Sequence, residues 1–283
     1  MENNKKKIIS VVVSLFALGF IYFLYQHFTY VKTDNAEVNA HTVLLAPRVG
    51  GYIRDVNVTE GQIVKKGDLL VQIDDRDYVA ALTSSKSELL SLEAKKNDAE
   101  KNYRRIKDLF SKSVVSTQQY DTATANYNEI RAKYDSASAH VQQAELNLEF
   151  TQLRAPSDGI IARKSAEIGQ LAAPGAVVVG FVSSEDRWVT ANLKETEIEH
   201  VKPGQKVRIS VDAFPSQKFT GTVDSLSSAT GATFSLLPPD NATGNFTKVV
   251  QRVPVKITFD SLSDEDKNKL QAGLSALVKI KIK

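Results

Sequence analysis

Two stretches decide the fold: APRVGGYIRDVNVTEGQIVKKGDLLV at residues 46–71 and APSDGIIARKSAEIGQLAAPGAVVV at residues 155–179. Each opens with Ala-Pro and carries three glycines at identical internal spacing, the second followed by glutamine. The glycines are Gly51, Gly61 and Gly67 in the first stretch, and Gly159, Gly169 and Gly175 in the second. Short apolar runs between them are typical of strands joined by turns whose glycines permit positive φ. Because neither half can bury both faces alone, we expect two halves packed as a small β-sandwich with a pseudo-two-fold axis.

The segment from Asp77 to Gln152 separates the two halves and contains no proline or glycine, which indicates helix. Its apolar residues recur at steps of four and three in two series, separated by a polar break at residues 111–117. The first series, with Ser85 and Lys96 as polar exceptions, is Tyr78, Leu82, Leu89, Leu92, Ala99, Tyr103, Ile106 and Phe110. The second is Tyr120, Ala123, Tyr127, Ile130, Tyr134, Ala137, Val141, Ala144 and Leu148. Two such seams predict an antiparallel coiled-coil hairpin that projects into solvent.

Three carboxylates stand where the first arm of this hairpin begins, at Asp74, Asp75 and Asp77. Negative charge is favourable at the N-terminus of a helix, and aspartate is a preferred capping residue. We therefore expect these residues to cap the helix rather than to form a metal or acid-base cluster.

The N-terminal segment from Ile8 to Tyr25 is uncharged and apolar, and at about 1.5 Å per residue it spans roughly 27 Å as a helix. Three lysines precede it, so the positive-inside rule places the N-terminus in the cytoplasm and the bulk of the chain outside. The alternative is a cleavable secretory signal. An uncleaved anchor is favoured because the apolar stretch is long and bulky residues follow it.

The C-terminal third alternates β-branched and polar residues, for example from Lys206 to Val211, which predicts half-buried strands of a small β-barrel. Residues 234–246 are rich in proline and asparagine and predict a loop with exposed apolar side chains. The fold class is thus mainly β with an α-helical coiled-coil hairpin. The expected domains are a cytoplasmic N-terminus (1–7), an anchor (8–28), a membrane-proximal β-barrel (29–45 and 183–283), a split lipoyl-like sandwich (46–76 and 153–182) and the hairpin (77–152).

Composition excludes several classes of function. With 36 basic and 33 acidic residues among 283, the net charge of +3 is too small for a nucleic-acid binder. There are no cysteines, and the four histidines have no metal-ligand spacing. The sequence contains neither a nucleophile elbow nor a phosphate-binding loop. We therefore expect no enzymatic activity, no cofactor and no metal.

The predicted sandwich resembles the flattened barrel of biotinyl and lipoyl carrier domains, so a carrier-domain component of an enzyme is an alternative. Such domains present their modified lysine on the hairpin between the halves. Here the chain runs from Ile73 through Asp74 and Asp75 directly into the helical arm. Because no lysine stands at a tight tip, this alternative is disfavoured.

Several motifs together resemble one known family. They are Thr33-Asp34-Asn35-Ala36 after the anchor, Ala155-Pro156-Ser157-Asp158-Gly159, Trp188-Val189, Val211-Asp212-Ala213-Phe214-Pro215 and the long run from Phe234 to Val255. The chain resembles the membrane fusion, or periplasmic adaptor, proteins of the HlyD family, in particular the EmrA-like branch.

The resemblance implies a single-pass inner-membrane protein with most of its chain in the periplasm, assembled as a homo-oligomeric ring. It would link a major-facilitator drug transporter to a TolC-like outer-membrane channel in multidrug efflux. The alternative within the same family is an adaptor of an ABC-driven type I secretion system.

The resemblance also implies a docking motif at the hairpin tip. Adaptors that dock onto TolC-like channels carry an Arg, a Leu four residues later and a Ser seven beyond it, and Arg105, Leu109 and Ser116 match this spacing. The alternative assigns each residue a local role: Arg105 as a solvated helix charge, Leu109 as a packing residue and Ser116 as the N-cap of the second arm.

Overall fold

The computed structural model describes residues 29–230, 233 and 249–282. They divide into two compact units, one running from Val43 to Phe181 and the other combining the residues up to Thr42 with those from Val182 onward. The expected anchor at residues 8–28 and the expected loop at residues 234–246 lie outside the described residues. Among the described helices, none combines the length and the apolar character needed to cross a bilayer.

The Val43–Phe181 unit contains the sandwich and the hairpin. Its sandwich strands are β2 (Gly51–Val56), β3 (Ile63–Val64), β4 (Leu69–Ile73), β5 (Gln152–Arg154), β6 (Gly159–Lys164) and β7 (Leu171–Ala172). Strands β1 (Tyr30–Leu45) and β8 (Val179–Lys194) contribute residues to both units. The sandwich core draws fully buried aliphatic side chains from both sides of the hairpin insertion, such as Ile53 and Leu70 from the first half and Ile161 from the second.

The two halves of the sandwich complete each other. Strand β3 of the first half pairs with β6 of the second, and β7 of the second half pairs with β2 of the first. In register, Ile63 lies opposite Ile160, and Leu171 lies opposite Tyr52. These equivalent pairings are those of a pseudo-two-fold axis, and the predicted split sandwich is confirmed.

The six repeat glycines occupy three kinds of position. Four have positive φ in turns outside the strands, namely Gly61, Gly67, Gly169 and Gly175. At Gly51, which has a φ of +157°, an added Cβ would lie 2.6 Å from Cγ2 of the buried Ile73. Gly159 begins β6 opposite Val64 and is not among the glycines with positive φ.

The Ala-Pro pairs that open both stretches are not structurally equivalent. The amide of Gly67 donates to the carbonyl of Ala155 at 2.9 Å, whereas the amide of Gly175 donates to that of Pro47 at 3.0 Å. Pro47 therefore corresponds to Ala155, and the two Ala-Pro pairs are displaced by one residue relative to the glycines.

In its described residues, the second unit is a six-stranded β-barrel. Its remaining strands are β9 (Lys206–Val211), β10 (Phe219–Leu226), β11 (Arg252–Phe259) and β12 (Ser275–Lys281), with a short helix at Asp264–Lys269. The strand order is β1-β12-β9-β10-β11-β8, and a further pairing of β1 with β8 closes the barrel. Alternate residues of each strand point into one apolar core, as the period-two pattern predicted.

Among the described residues of the barrel unit, one cation is buried. Arg187 is 6 % exposed, and its guanidinium donates to the carbonyl oxygens of Leu270 at 3.0 Å, Asp186 at 3.0 Å and Ser183. Burial lowers the pKa of this guanidinium, a change that the nearby Asp186 opposes. Arg187 thereby links the middle of β8 to the end of the short helix.

Candidate docking surface at the hairpin tip

The hairpin consists of α1 (Arg76–Ser111) and α2 (Thr117–Glu149). At 1.5 Å per residue, α1 is about 54 Å long. Along each arm, the side chains that are buried or half-buried are mainly those of the predicted seams, and the polar exceptions Ser85 and Lys96 are half-buried as well. The predicted antiparallel hairpin is confirmed.

The seam changes character along its length. Four of its buried side chains are alanines, which allow the arms to approach closely: Ala99, Ala123, Ala137 and Ala144. Nearer the tip the seam is aromatic. Tyr103 stacks on Tyr127 with ring centres 5.3 Å apart, and Phe110 stacks on Tyr120 at 4.8 Å.

Polar contacts reinforce this aromatic seam. The neighbouring phenol of Tyr103 raises the pKa of Tyr120. The ammonium of Lys96 lies 3.7 Å from the ring centre of Tyr134, which explains why a lysine occupies a seam position.

The turn between the arms is closed by backbone hydrogen bonds. The carbonyl of Leu109 accepts the amides of Lys112 at 3.2 Å and Val114 at 3.0 Å. Ser113 takes a φ of +57°, and it is the only described non-glycine residue with positive φ. This conformation turns the chain sharply out of α1.

Ser116 begins the second arm with a capping box. Its hydroxyl accepts the amide of Gln119 at 3.3 Å, and its own amide donates to Oε1 of Gln119 at 3.0 Å. Two amides at the helix N-terminus are thus satisfied by one reciprocal pair. The local role that the sequence offered as an alternative for Ser116 is therefore present.

Arg105 and Leu109 lie on the last turns of α1. Arg105 is exposed and donates to Oδ1 of Asn102 at 3.0 Å, and Leu109 is half-buried. The motif therefore places the exposed cation of Arg105 and the exposed hydroxyl of Ser116 close to the turn, while the apolar side chain of Leu109 is partly covered.

At the same end of the hairpin, sequence reasoning missed the exposed Val114, and it placed Phe110 in the seam without predicting its exposure. Val114 is 66 % exposed in the turn, and Phe110 is 37 % exposed beside it. The pair Val114-Val115 inside an otherwise polar break was the available signal for Val114. Exposed apolar residues beside a cation suit a protein-docking surface.

The acidic residues at the hairpin base differ from the expectation that all three cap α1. Asp75 stands at the N-cap but makes no capping bond with its side chain, because its carboxylate pairs with Arg54 at 2.7 Å. Asp74 instead accepts the backbone amide of Arg76 at 3.2 Å and also binds its guanidinium. Chiefly through this side-chain bond, the pKa of Asp74 falls from 3.8 to about 2. Within the described ranges, no cluster of three potential metal ligands occurs.

Two family models match the chain. The barrel-sandwich hybrid domain of RND membrane fusion proteins matches residues 41–179, and the AAEA-like beta-barrel domain matches residues 187–281. The two matches fall on the split sandwich with its hairpin and on most of the barrel.

Relatives match over nearly the full chain. The colistin resistance protein EmrA of Acinetobacter baumannii is 31 % identical, covering 98 % of this chain and 96 % of that protein. The multidrug export protein EmrA of Escherichia coli K12 is also 31 % identical, covering 93 % and 79 % respectively.

Solved structures share the fold. A MacA-MexA chimera carrying the α-hairpin domain of Pseudomonas aeruginosa MexA has a TM-score of 0.64 at 26 % identity, covering 90 % of this chain and 79 % of that one. The membrane fusion protein Spr0693 of Streptococcus pneumoniae has a TM-score of 0.66 at 17 % identity, covering 90 % and 99 %.

A split sandwich that carries a helical hairpin, joined to a β-barrel, is the architecture of an adaptor protein. The chain belongs to the membrane fusion protein family, in its EmrA-like branch. Members of this family are non-enzymatic adaptors.

Proposed function

We propose that this chain is the periplasmic adaptor of a multidrug efflux system, anchored in the inner membrane by residues 8–28. It connects an inner-membrane drug transporter of the major-facilitator class to a TolC-like outer-membrane channel. The observation that carries the proposal is the hairpin itself, whose two arms of more than 30 residues pack on each other and end in an exposed tip. The names of the EmrA relatives, which refer to multidrug export and colistin resistance, support the same role.

At the tip, the docking surface comprises Arg105, Leu109 and Ser116 together with the exposed Val114. Arg105 supplies a cation for an acidic or carbonyl-rich partner, and Val114 supplies apolar area that a partner can cover. Ser116 has two roles, because the same hydroxyl caps α2.

A homo-oligomeric ring of protomers would complete the conduit. In a ring each subunit uses two different surfaces, and the rotation between copies must close. The hairpins would then surround a passage, and the transporter would supply the energy for export.

The test is deletion of the gene followed by measurement of drug susceptibility, with complementation by the intact chain. We expect the deletion strain to become at least fourfold more susceptible to the exported drugs and the chain to copurify, after crosslinking, with a major-facilitator transporter. Unchanged susceptibility together with copurification of an ABC ATPase would favour the secretion alternative.

Topology has its own test. A reporter fused after Lys283 and active only in the periplasm is expected to be active, while its cytoplasm-specific counterpart stays inactive. Cytoplasmic activity would contradict the proposed orientation.

A further inference from the structure

The segment at residues 46–50, here called the collar, contacts both arms of the hairpin at their base. The hydroxyl of Tyr78, in the first turn of α1, donates to the carbonyl of Gly50 at 2.7 Å. The guanidinium carbon of Arg48 lies 4.8 Å from the ring centre of Phe150, the C-cap residue of α2. Two residues of one short segment thus each hold a different arm.

The collar is itself attached to the sandwich. The carbonyl of Pro47 accepts the amide of Gly175 at 3.0 Å, and the carbonyl of the preceding Leu45 accepts the amide of Val178 at 3.0 Å. Both donors belong to the second half of the repeat. The contacts with Tyr78 and Phe150 are therefore made from a segment that the sandwich holds in place.

Other contacts hold the hairpin at the point where the chain enters and leaves the sandwich. Paired strands β4 and β5 bring the two arms out side by side, and the amide of Ile73 donates to the carbonyl of Thr151 at 2.9 Å. The buried Gln72 also donates to the hydroxyl of Thr151, at 3.3 Å. The amide of Asp74 donates to the carbonyl of Tyr52 at 2.8 Å, and Asp75 pairs with Arg54 at 2.7 Å. All of these contacts lie at the residues where the chain enters or leaves the sandwich, whereas Tyr78 contacts the collar from within α1.

We propose that Tyr78 and Arg48 are positioning residues, which set the direction of the hairpin by holding both arms to the collar. The arms act as levers: with a length of about 50 Å, a rotation of about 10° at the base moves the tip by about 9 Å, close to the width of a helix. Each contact is small compared with the stability of the fold, so losing both changes the direction without unfolding the chain. The consequence for docking rests on the proposed function, whereas the direction of the hairpin does not.

The chain contains no cysteine, so two introduced cysteines are labelled without background. We choose Lys65→Cys on the sandwich and Lys101→Cys on α1, both at exposed positions, and attach spin labels to the purified full chain in detergent. Pulsed electron resonance then measures the distribution of distances between the two labels. The clamp variant combines Tyr78→Phe with Arg48→Gln.

The matched control combines Tyr127→Phe with Arg131→Gln, the same chemical changes within the hairpin but away from its base. We expect the clamp variant to broaden the distance distribution at least twofold and the control to leave it unchanged. Arg48→Lys alone should keep the distribution narrow, because an ammonium can replace the guanidinium above Phe150. An unchanged width in the clamp variant would overturn the proposal.

Circular dichroism of each labelled protein shows whether it is folded. If the double variant does not fold, the distances are measured in Tyr78→Phe alone. An unbroadened distribution in that variant would again overturn the proposal. Drug susceptibility of the clamp variant is recorded separately. If the deletion strain shows no change in susceptibility, the proposed function fails while the label distances still decide the role of the collar.

Discussion

The amide of Gly61 in the first half of the sandwich donates a 2.8 Å hydrogen bond to the carbonyl of Ile161 in the second half, although the whole hairpin lies between these residues in the sequence. The equivalent bond joins Gly169 to Ile53, also at 2.8 Å. Each half of the sandwich therefore satisfies backbone groups of the other, and neither half is complete alone. The insertion of the hairpin between them places its base on a platform that both halves build.

Substitutions of the repeat glycines should distinguish positions where a side chain has no room from positions where the backbone needs a positive φ. Gly51→Ala places a methyl group against the buried Ile73, so we expect a loss of about 2–3 kcal/mol in unfolding free energy. Gly61→Ala meets open space but needs a positive φ, so about 1 kcal/mol should be lost. Urea unfolding of the purified chain measures both. Equal midpoints for the two variants would show that the packing against Ile73 is unimportant.

The buried Arg187 should be important for the stability of the barrel. Arg187→Leu removes the donor to the carbonyl of Leu270, and leaving a buried carbonyl unpaired costs about 2 kcal/mol. The unfolding temperature of Arg187→Lys should lie between those of Arg187→Leu and the natural chain, because one ammonium cannot donate to carbonyls on two sides. Thermal unfolding provides the measurement, and Lys279→Leu on the exposed face of β12 provides the control. A midpoint for Arg187→Leu no lower than that of the control would refute this role.

Much of the hairpin could be predicted because its signal is local. A heptad series needs only residues three and four positions apart, and it located even the half-buried Ser85 and Lys96. The repeat could be predicted equally well, since glycines at matched positions indicate turns of the same kind. The observed turn at residues 112–116 falls within the polar break that marked it.

The contacts that hold distant segments together could not be predicted from the sequence. Arg187 lies in an alternating strand and looks like any exposed cation, although its partner Leu270 is far along the chain. The bond from Tyr78 to Gly50 could not be anticipated either, since a tyrosine at a seam position predicts packing rather than a hydroxyl donor. Asp75 was expected to cap α1, but Arg54 of β2 binds its carboxylate instead.

Acid should weaken the base of the hairpin through Asp74. The pKa of this carboxyl is depressed to about 2, so its contribution to stability is complete above about pH 4 and is lost as the pH falls through 2. Asp74→Asn should therefore lower the unfolding temperature at pH 6 and reduce its decline between pH 4 and pH 2. Asp77→Asn, in the first turn of α1, is the control. A decline as steep in Asp74→Asn as in the natural chain would contradict the assignment.

Charge reversal at Arg105 should separate docking from folding. Arg105→Glu alters an exposed side chain whose described side-chain bond is to Asn102, so we expect an unchanged unfolding temperature. Drug resistance should nevertheless fall to the level of the deletion strain. Lys101→Glu, the same reversal one turn earlier on α1, should retain resistance. Full resistance in Arg105→Glu would remove this residue from the docking surface.

Ser116 requires a different test, because its hydroxyl also caps α2. Ser116→Ala should cost about 1 kcal/mol through loss of the cap, whereas Ser116→Asp keeps an acceptor for the amide of Gln119. If the hydroxyl serves only as a cap, Ser116→Asp should restore both stability and resistance. A stable Ser116→Asp chain without resistance would instead indicate contact with a partner.

The most direct test of the central claim is photo-crosslinking in living cells from the hairpin tip. A photoreactive amino acid at position 114, where Val114 is 66 % exposed, should capture an outer-membrane channel of the TolC class, and the same amino acid at position 65 on the sandwich should not. Capture of that channel from the tip alone is the result the account predicts. An absence of any channel product at position 114, in cells whose drug resistance depends on this chain, would contradict it.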